Sequence, residues 1–456
     1  MMAQSDNLDM CNGAILPKML LFALPLMASS VMQLLFNAAD IAVVGKFGSE
    51  HSLAAVGSTV TLINLLTNFF IGLTVGTNVL ASVSIGANDD EKLRRIVHTS
   101  VALSFLSGLF SAFAGLIFSE KILILMQTPD VVLPLSLQYT RIYFIGMLPT
   151  AVYNFGASLL YAKGDTKRPL VFLAIAGTVN VVLNLIFVIG LSLDVSGVAL
   201  ATVVSQTVAA ALVLTRLTKQ KDALRLYFKE IRLDKEIAIR ILRLGIPAGF
   251  QGVVFSLSNM VIQSAVNSFG PVVMAGSAAS ANIEGFVWVC MNAFQQTVTT
   301  FISRNVGAGA FGRIDPIRRR ALGCAACTGI VLGGLSVLFG HVLLGLYTSN
   351  PETIAAGYVR LRIVSGTYFI CGVMDTAAGA LRGLGASLTP AVVSLVGACG
   401  LRLLWIWTGF QLPEYHTVAL LFASYPASWI LTLAAHLVCY VFIRRKFPKE
   451  SIKKEA

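Results

Sequence analysis

The sequence predicts an all-α membrane protein with twelve transmembrane helices in two six-helix lobes that repeat in parallel. Three observations carry that expectation. Apolar residues make up 56% of the chain and charged ones only 12%, against a charged share of about 25% in ordinary soluble domains. The mean hydropathy is +0.78. Twelve apolar stretches can be drawn, and the landmarks of the first six recur in the last six at an offset of 221–222 residues.

The stretches run approximately over 17–41, 53–78, 96–118, 132–155, 168–190, 196–217, 238–263, 272–300, 321–345, 354–380, 388–409 and 416–443. Each is near the length of about 20 residues that a helix needs to cross about 30 Å of hydrocarbon. Gly and Pro punctuate their ends, as in Gly164 to Pro169 and Ser349 to Glu352.

Orientation follows from the basic residues, because cytoplasmic loops carry the excess of Lys and Arg. Alternate loops hold Lys92, Arg94 and Arg95; Lys163, Lys167 and Arg168; nine from Arg216 to Arg243; five from Arg304 to Arg320; Arg382; and six from Arg444 to Lys454, with Lys18 at the start. The opposite loops hold only Lys46 and Lys121, and Arg141, Arg360, Arg362 and Arg402 fall inside predicted helices. Both termini are therefore expected in the cytoplasm, in a multi-pass protein of the plasma (inner) membrane. The net charge of +12 is an orientation signal, not a sign of nucleic-acid binding.

Met1 to Gly13 is polar and includes Asp6 and Asp9, so no cleavable signal with a basic first region is expected. Seven Cys residues, an odd number lying mostly in predicted helices, imply no disulfide framework. Cys324 and Cys327 read as small residues at a helix contact.

The repeat aligns Leu20 and Pro25 with Leu242 and Pro247, Phe47-Gly48 with Phe269-Gly270, Pro129 with Pro351, and Gly164 and Pro169 with Gly385 and Pro390. Six spans per half is an even number, so both halves enter the membrane in the same direction and their pseudo-two-fold axis lies along the membrane normal. The expected organisation is an amino-terminal lobe over 1–216, a cytoplasmic linker over 217–237, a carboxy-terminal lobe over 238–445 and a basic tail over 446–456. Within the linker, Tyr227, Phe228 and Ile231 among basic residues read either as an interfacial helix or as a solvated connection.

Asp40 is the most telling residue of the first half. It ends the apolar run that begins at Leu34, where an ionisable group costs about 2.5–3.5 kcal/mol and marks an ion, proton or substrate site by default. Asn180 and Asn184 share a helix face by their i, i+4 spacing. Asp, Asn and Thr side chains offer the oxygen ligands that a hard cation prefers. A lone buried carboxylate also suits proton carriage, since burial penalises its charged form. The alternative is a hydrogen-bonded clamp between helices.

Several segments resemble the multidrug and toxic compound extrusion (MATE) family. They are Asn37 to Asp40 with Val43-Val44-Gly45, Ala54 to Gly57, Gly72 to Gly76 and Gly86 to Arg95, then Asn180 to Asn184, Gly197 to Thr202 and Gly379 to Gly383. The resemblance covers roughly residues 14 to 445. It implies the two-lobed fold of the MATE/MOP flippase superfamily and a bacterial multidrug antiporter that exports amphipathic, often cationic compounds by alternating access. Inward H⁺ or Na⁺ would drive it, with no cofactor, a small-molecule substrate, the lipid bilayer as its surroundings, and a monomeric, non-enzymatic state.

The family's cation site maps onto Asp40, Asn180, Asn184 and Thr202, with Tyr139 and Asn154 at polar positions lining the same lobe. Many members carry Asp where this chain has Asn184. That departure favours H⁺ and leaves Na⁺, held by Asp40, Asn180, Asn184 and Thr202, as the second choice. The second lobe carries Glu284, Asp375 and Arg402. Asp375 matches an acidic position of some members, and Arg402 is expected either to pair with Glu284 or Asp375 or to meet substrate. Arg141, Arg360 and Arg362 are expected to snorkel to headgroups. The competing function is a flippase for lipid-linked oligosaccharide or lipid, which would call for a more cationic cavity. Asp89-Asp90, reminiscent of a diphosphate motif, reads instead as helix-start chemistry.

Overall fold

In a computed structural model, residues 8–49, 51–126, 128–412, 414 and 416–450 are described, and every regular element among them is helical. Lipid explains this economy. The hydrocarbon offers no hydrogen bonds, so a spanning backbone must satisfy its own polar groups, as a helix does. The elements are α1 (Ile15–Phe47), α2 (Ser52–Ala87), α3 (Asp90–Leu125), α4 (Leu133–Ile145), α5 (Met147–Lys163), α6 (Lys167–Asn184), α7 (Asp194–Thr218) and α8 (Lys235–Asn267). They continue with α9 (Pro271–Gly307), α10 (Ile314–Leu338), the short α11 (Gly340–Gly345), α12 (Pro351–Val364), α13 (Tyr368–Gly383), α14 (Leu388–Ser394), α15 (Leu401–Trp407) and α16 (Val418–Arg444).

Eleven of the helical runs are long and apolar enough to span, or twelve when the pair α4 and α5, bent by 43°, counts as one. The bend has a local cause. Pro149 has no N–H to give the carbonyl one turn back, and Gly146 sits at the resulting break. The fourth predicted span is thus a broken helix. A π-helical turn at Leu185–Gly190 closes the span that begins at Lys167, and another at Leu395–Gly400 interrupts the span Leu388–Gln411, a distortion often found at functional positions.

The described residues form two compact units. The first is built on Ala28–Gly245, and the second joins Asp9–Met27 to the residues from Ile246 onward. In the first, Phe70, Phe144, Met147, Phe155, Leu159 and Leu160 form the buried core between α2, α3 and α5. Leu224, Leu226, Ile237, Ala238 and Ile241 belong to the same core, so the linker and the opening turns of α8 pack with the first unit. Where a boundary near residue 238 was expected, the division falls after Gly245. In the second unit, Ile262, Met374, Phe410, Phe422 and Trp429 pack between α8, α13 and α16. Phe22 of α1 meets Phe301 edge-on at 5.7 Å, which accounts for residues 9–27 being counted there.

The repeat has a backbone signature. Gly164 after α5 and Gly385 after α13, aligned in the sequence, adopt φ +101° and +83°, the left-handed conformation that ends a helix most cheaply at glycine. Asp89 accepts the Lys92 N–H at 3.0 Å and caps α3.

No interfacial helix forms in the linker. It contains one 3₁₀ turn, Phe228–Glu230, and is pinned to the start of α3. Arg94 makes a two-pronged ion pair with Glu230, with Nε to Oε2 at 2.8 Å, and Arg95 binds Asp234 at 2.7 Å. His98 Nε2 accepts the Tyr227 N–H at 3.1 Å. Hydrogen bonding from Arg94 holds the Glu230 carboxyl below its ordinary range, and Arg95 does the same for Asp234. The expected basic tail is described only to Glu450; its last residues lie outside the described ones.

Candidate cation site and intramembrane charges

In the first unit, α1 and α6 approach closely because Gly177 has no side chain. A Cβ there would lie 1.8 Å from Phe36 Cε2. Phe36 is one turn before Asp40, and Gly177 is one turn before Asn180, so this contact sets the next turns of both helices face to face. Asn184 then donates one Nδ2 hydrogen to Asp40 Oδ1 and the other to Asn180 Oδ1 at 3.3 Å. Asn180 donates onward to Thr202 Oγ1 at 3.4 Å, and the Thr202 hydroxyl donates to the Val198 carbonyl at 3.0 Å. Asp40, Asn184, Asn180 and Thr202 therefore form one hydrogen-bonded chain across α1, α6 and α7.

Asn180 and Asn184 are buried, at 5% and 0% exposure. The Asn184 Oδ1 atom is sealed from solvent with no hydrogen-bond donor facing it among the described residues. No cationic side chain pairs with Asp40 among those residues; the ion pairs of this unit lie elsewhere. Tyr139 and Tyr143 of α4 pack against each other with ring centres 6.0 Å apart. Tyr143 was not singled out from the sequence, although its i, i+4 relation to Tyr139 places it on the same face. Asn154 lies on α5 and is partly exposed; no side-chain bond joins it to the chain of four among the described residues.

The second unit departs from two expectations. Arg360 does not reach outward: it is 8% exposed and grips Glu284, with Nε to Oε1 at 3.0 Å and Nη2 to Oε2 at 2.8 Å. Its Nη1 donates to Ser277 at 2.7 Å, and Ser280 donates to Glu284 Oε1 at 3.1 Å. The expectation that Arg402 pairs with Glu284 or Asp375 is likewise corrected. Glu284 is taken by Arg360, and no carboxylate lies within 4.0 Å of the Arg402 nitrogens among the described residues, where the ion pairs of this unit are Lys18–Asp9, Arg360–Glu284 and Arg444–Asp315. Arg402 Nε donates to Ser428 at 2.9 Å, and its guanidinium lies over Tyr425 at 4.2 Å and Trp429 at 5.5 Å.

Asp375 is partly buried, and its Oδ2 faces Cys371 Sγ at 3.9 Å. Arg382 donates to Gln251 Oε1 at 2.6 Å. A sequence cue to the Arg360 pair existed. Ser277, Ser280 and Glu284 fall on one helical stripe, a polar face that needs a polar partner. Arg141 and Arg362 are exposed, and Arg141 approaches Glu120 at 3.4 Å.

A bundle of apolar spans with a hydrogen-bonded carboxylate inside one unit and ionised groups inside the other defines a multi-pass membrane protein of transporter type. The MatE family model matches twice, over residues 25–186 and 247–408. The chain is 29% identical over 438 residues to a probable multidrug resistance protein, YoeA, of Bacillus subtilis, with 94% of each chain covered. It is 31% identical over 397 residues to a second such protein of that organism, YpnP, covering 86% of this chain and 88% of the other. An outward-facing structure of a multidrug resistance MATE family transporter superposes with a TM-score of 0.88 at 19% identity, covering 97% of this chain and 98% of that one.

This chain belongs to the MATE family. The two matches to the family model begin 222 residues apart, the same offset as the internal repeat.

Proposed function

We propose that the chain is a secondary active exporter of amphipathic or cationic compounds, working by alternating access of two lobes related by a two-fold along the membrane normal, with both termini in the cytoplasm of the inner membrane. The names of the Bacillus relatives support export of drug-like compounds, and the double family match supports the repeat. Proton antiport is the coupling mode, and Asp40 is its carrier.

The observation that carries the choice of ion is the single carboxylate. Asp40 is held by the neutral amide of Asn184, where a second acid would have offset a bound Na⁺. One desolvated carboxylate with no cationic partner takes up and releases a proton more readily than it retains Na⁺. Asn180 and Thr202 hold the Asn184 amide in place, and Tyr139 and Asn154 line the same interior. Asp375, Glu284 and Arg402 serve the second lobe, with Glu284 held by Arg360.

The test is flux of a cationic dye in liposomes with imposed pH or Na⁺ gradients. Asp40→Asn keeps the shape and cannot titrate, so gradient-driven export should stop while the purified protein still unfolds at the wild-type temperature. Undiminished proton-driven export by that variant, or wild-type flux that follows Na⁺ at fixed pH, refutes the assignment.

A further inference from the structure

The linker between α7 and α8 carries more positive charge than it neutralises. From Lys219 to Glu236 it holds six cations and four acids, and each acid is already engaged: Asp222 by Lys163, Glu230 by Arg94, Asp234 by Arg95, and Glu236 by Arg95 and Arg240. Arg225, Lys229 and Arg232 are exposed, and none of them makes an ion pair among the described residues.

Packing decides which side of this segment faces out. Leu224 and Leu226 belong to the core of the first unit, and successive side chains of an extended stretch point to opposite sides, so Arg225 and Tyr227 turn outward. The Tyr227 ring is held in place by the guanidiniums of Arg225 and Arg94, at 4.8 and 5.1 Å, and by the stacked His98 ring at 6.4 Å. Phe228 beside it is 60% exposed. An open recess of about 520 Å³ lies here, walled by Thr218, Arg225, Tyr227, Phe228 and Lys229.

The linker joins the end of α7 at Thr218 to the start of α8 at Lys235, and both helices are long and apolar enough to span. It therefore lies where hydrocarbon gives way to water. A soluble anion would satisfy the cations and leave Phe228 in water, whereas an apolar partner would cover Phe228 and strand the cations. An amphiphile with a negative head satisfies both, since aromatic rings settle at the headgroup level and basic side chains there attract anionic lipid.

We propose that Arg225, Tyr227, Phe228 and Lys229 form a docking surface for an anionic phospholipid, its phosphate against the two cations and the start of its acyl chain against Phe228. Lipid docking here is independent of the export reading: it is measured without transport, and a nanodisc carries the same lipids on both faces.

The experiment places photoreactive para-benzoylphenylalanine at Phe228 of the full chain, in nanodiscs of phosphatidylcholine with a minor share of phosphatidylglycerol, and weighs the lipid adducts by mass spectrometry. Phe113 of α3, 63% exposed and within an apolar stretch, is the control position. Adducts at 228 should be enriched in phosphatidylglycerol about tenfold or more over the supplied ratio, as expected for two cations near a charged surface, and adducts at 113 should follow the supplied ratio. Arg225→Gln with Lys229→Gln should return position 228 to the supplied ratio, whereas Arg225→Lys with Lys229→Arg should keep the enrichment. All four replacements are at exposed positions, and unchanged adducts at 113 check that the spans of the variants are in place.

The supplied ratio at 228 in the wild-type background overturns the proposal, as does an absence of lipid adducts there while 113 is labelled. Enrichment that persists in Arg225→Gln, Lys229→Gln overturns the role of the two cations. Enrichment abolished by excess inorganic phosphate overturns the lipid assignment and makes the recess a site for free anions.

Discussion

Glu284→Gln should destabilise the protein severely although it changes one atom. Wild-type Glu284 accepts two hydrogen bonds from Arg360, at 3.0 and 2.8 Å, with both side chains at least nine-tenths buried. Glutamine offers one oxygen, so its amide N–H₂ is set against an Arg360 N–H, and the guanidinium keeps its charge with no countercharge. Phe422, 5.2 Å below the guanidinium, gives partial compensation at most. Breaking one side of such a pair costs about 3–5 kcal/mol.

Removing both charges is a different perturbation. In Glu284→Leu combined with Arg360→Met no ion is stranded, and the net cost should be within about 1 kcal/mol, as for other buried pairs replaced by apolar groups. The assay is reversible unfolding in detergent micelles followed by tryptophan fluorescence, arranged as a double-mutant cycle with a coupling of about 2 kcal/mol or more. A Glu284→Gln protein as stable as the wild type, or a double variant less stable than Glu284→Gln, would show that the pair does not bear on stability as argued.

Gly177→Ala places a methyl group inside the Phe36 ring; overpacking of this kind costs about 1–3 kcal/mol and should separate Asp40 from Asn184, seen as lower thermal stability and impaired proton-coupled flux together. Flux lost at unchanged stability would contradict the packing argument. Asn184→Asp should increase the sodium sensitivity of transport by adding a second anionic oxygen donor beside Asp40; a sodium response identical to the wild type would speak against the role given to that position. The linker clasp carries a pH prediction with a definite sign. The carboxyls of Glu230 and Asp234 are held below their ordinary values by Arg94 and Arg95, so their contribution is complete at neutral pH and is lost only as pH falls through those lowered values. A spin label at Lys229 should become mobile in that acid range and should already be mobile at pH 7 in Arg94→Gln, Arg95→Gln; an acid step that survives in this variant rules the clasp out as its cause.

The amino-acid sequence by itself determined that this chain crosses a membrane many times and that its halves repeat, because hydrophobic length and turn residues are local properties. Gly164 and Gly385 illustrate the point: punctuation in the sequence, they are the left-handed helix ends of the two repeats. The i, i+4 spacing of Asn180 and Asn184 was equally readable, since a helix's own geometry sets it. Which groups pair across helices was decided only by the tertiary structure. Arg360 lies 76 residues from Glu284, and nothing local distinguishes it from Arg362, two residues on and exposed; helix rotation turns one inward to the carboxylate and the other outward. Arg402 is read as an ion-pair partner in the sequence and is found among Ser428, Tyr425 and Trp429 for the same reason: the sequence states the charge that must be accommodated, and the packing of whole helices decides what accommodates it.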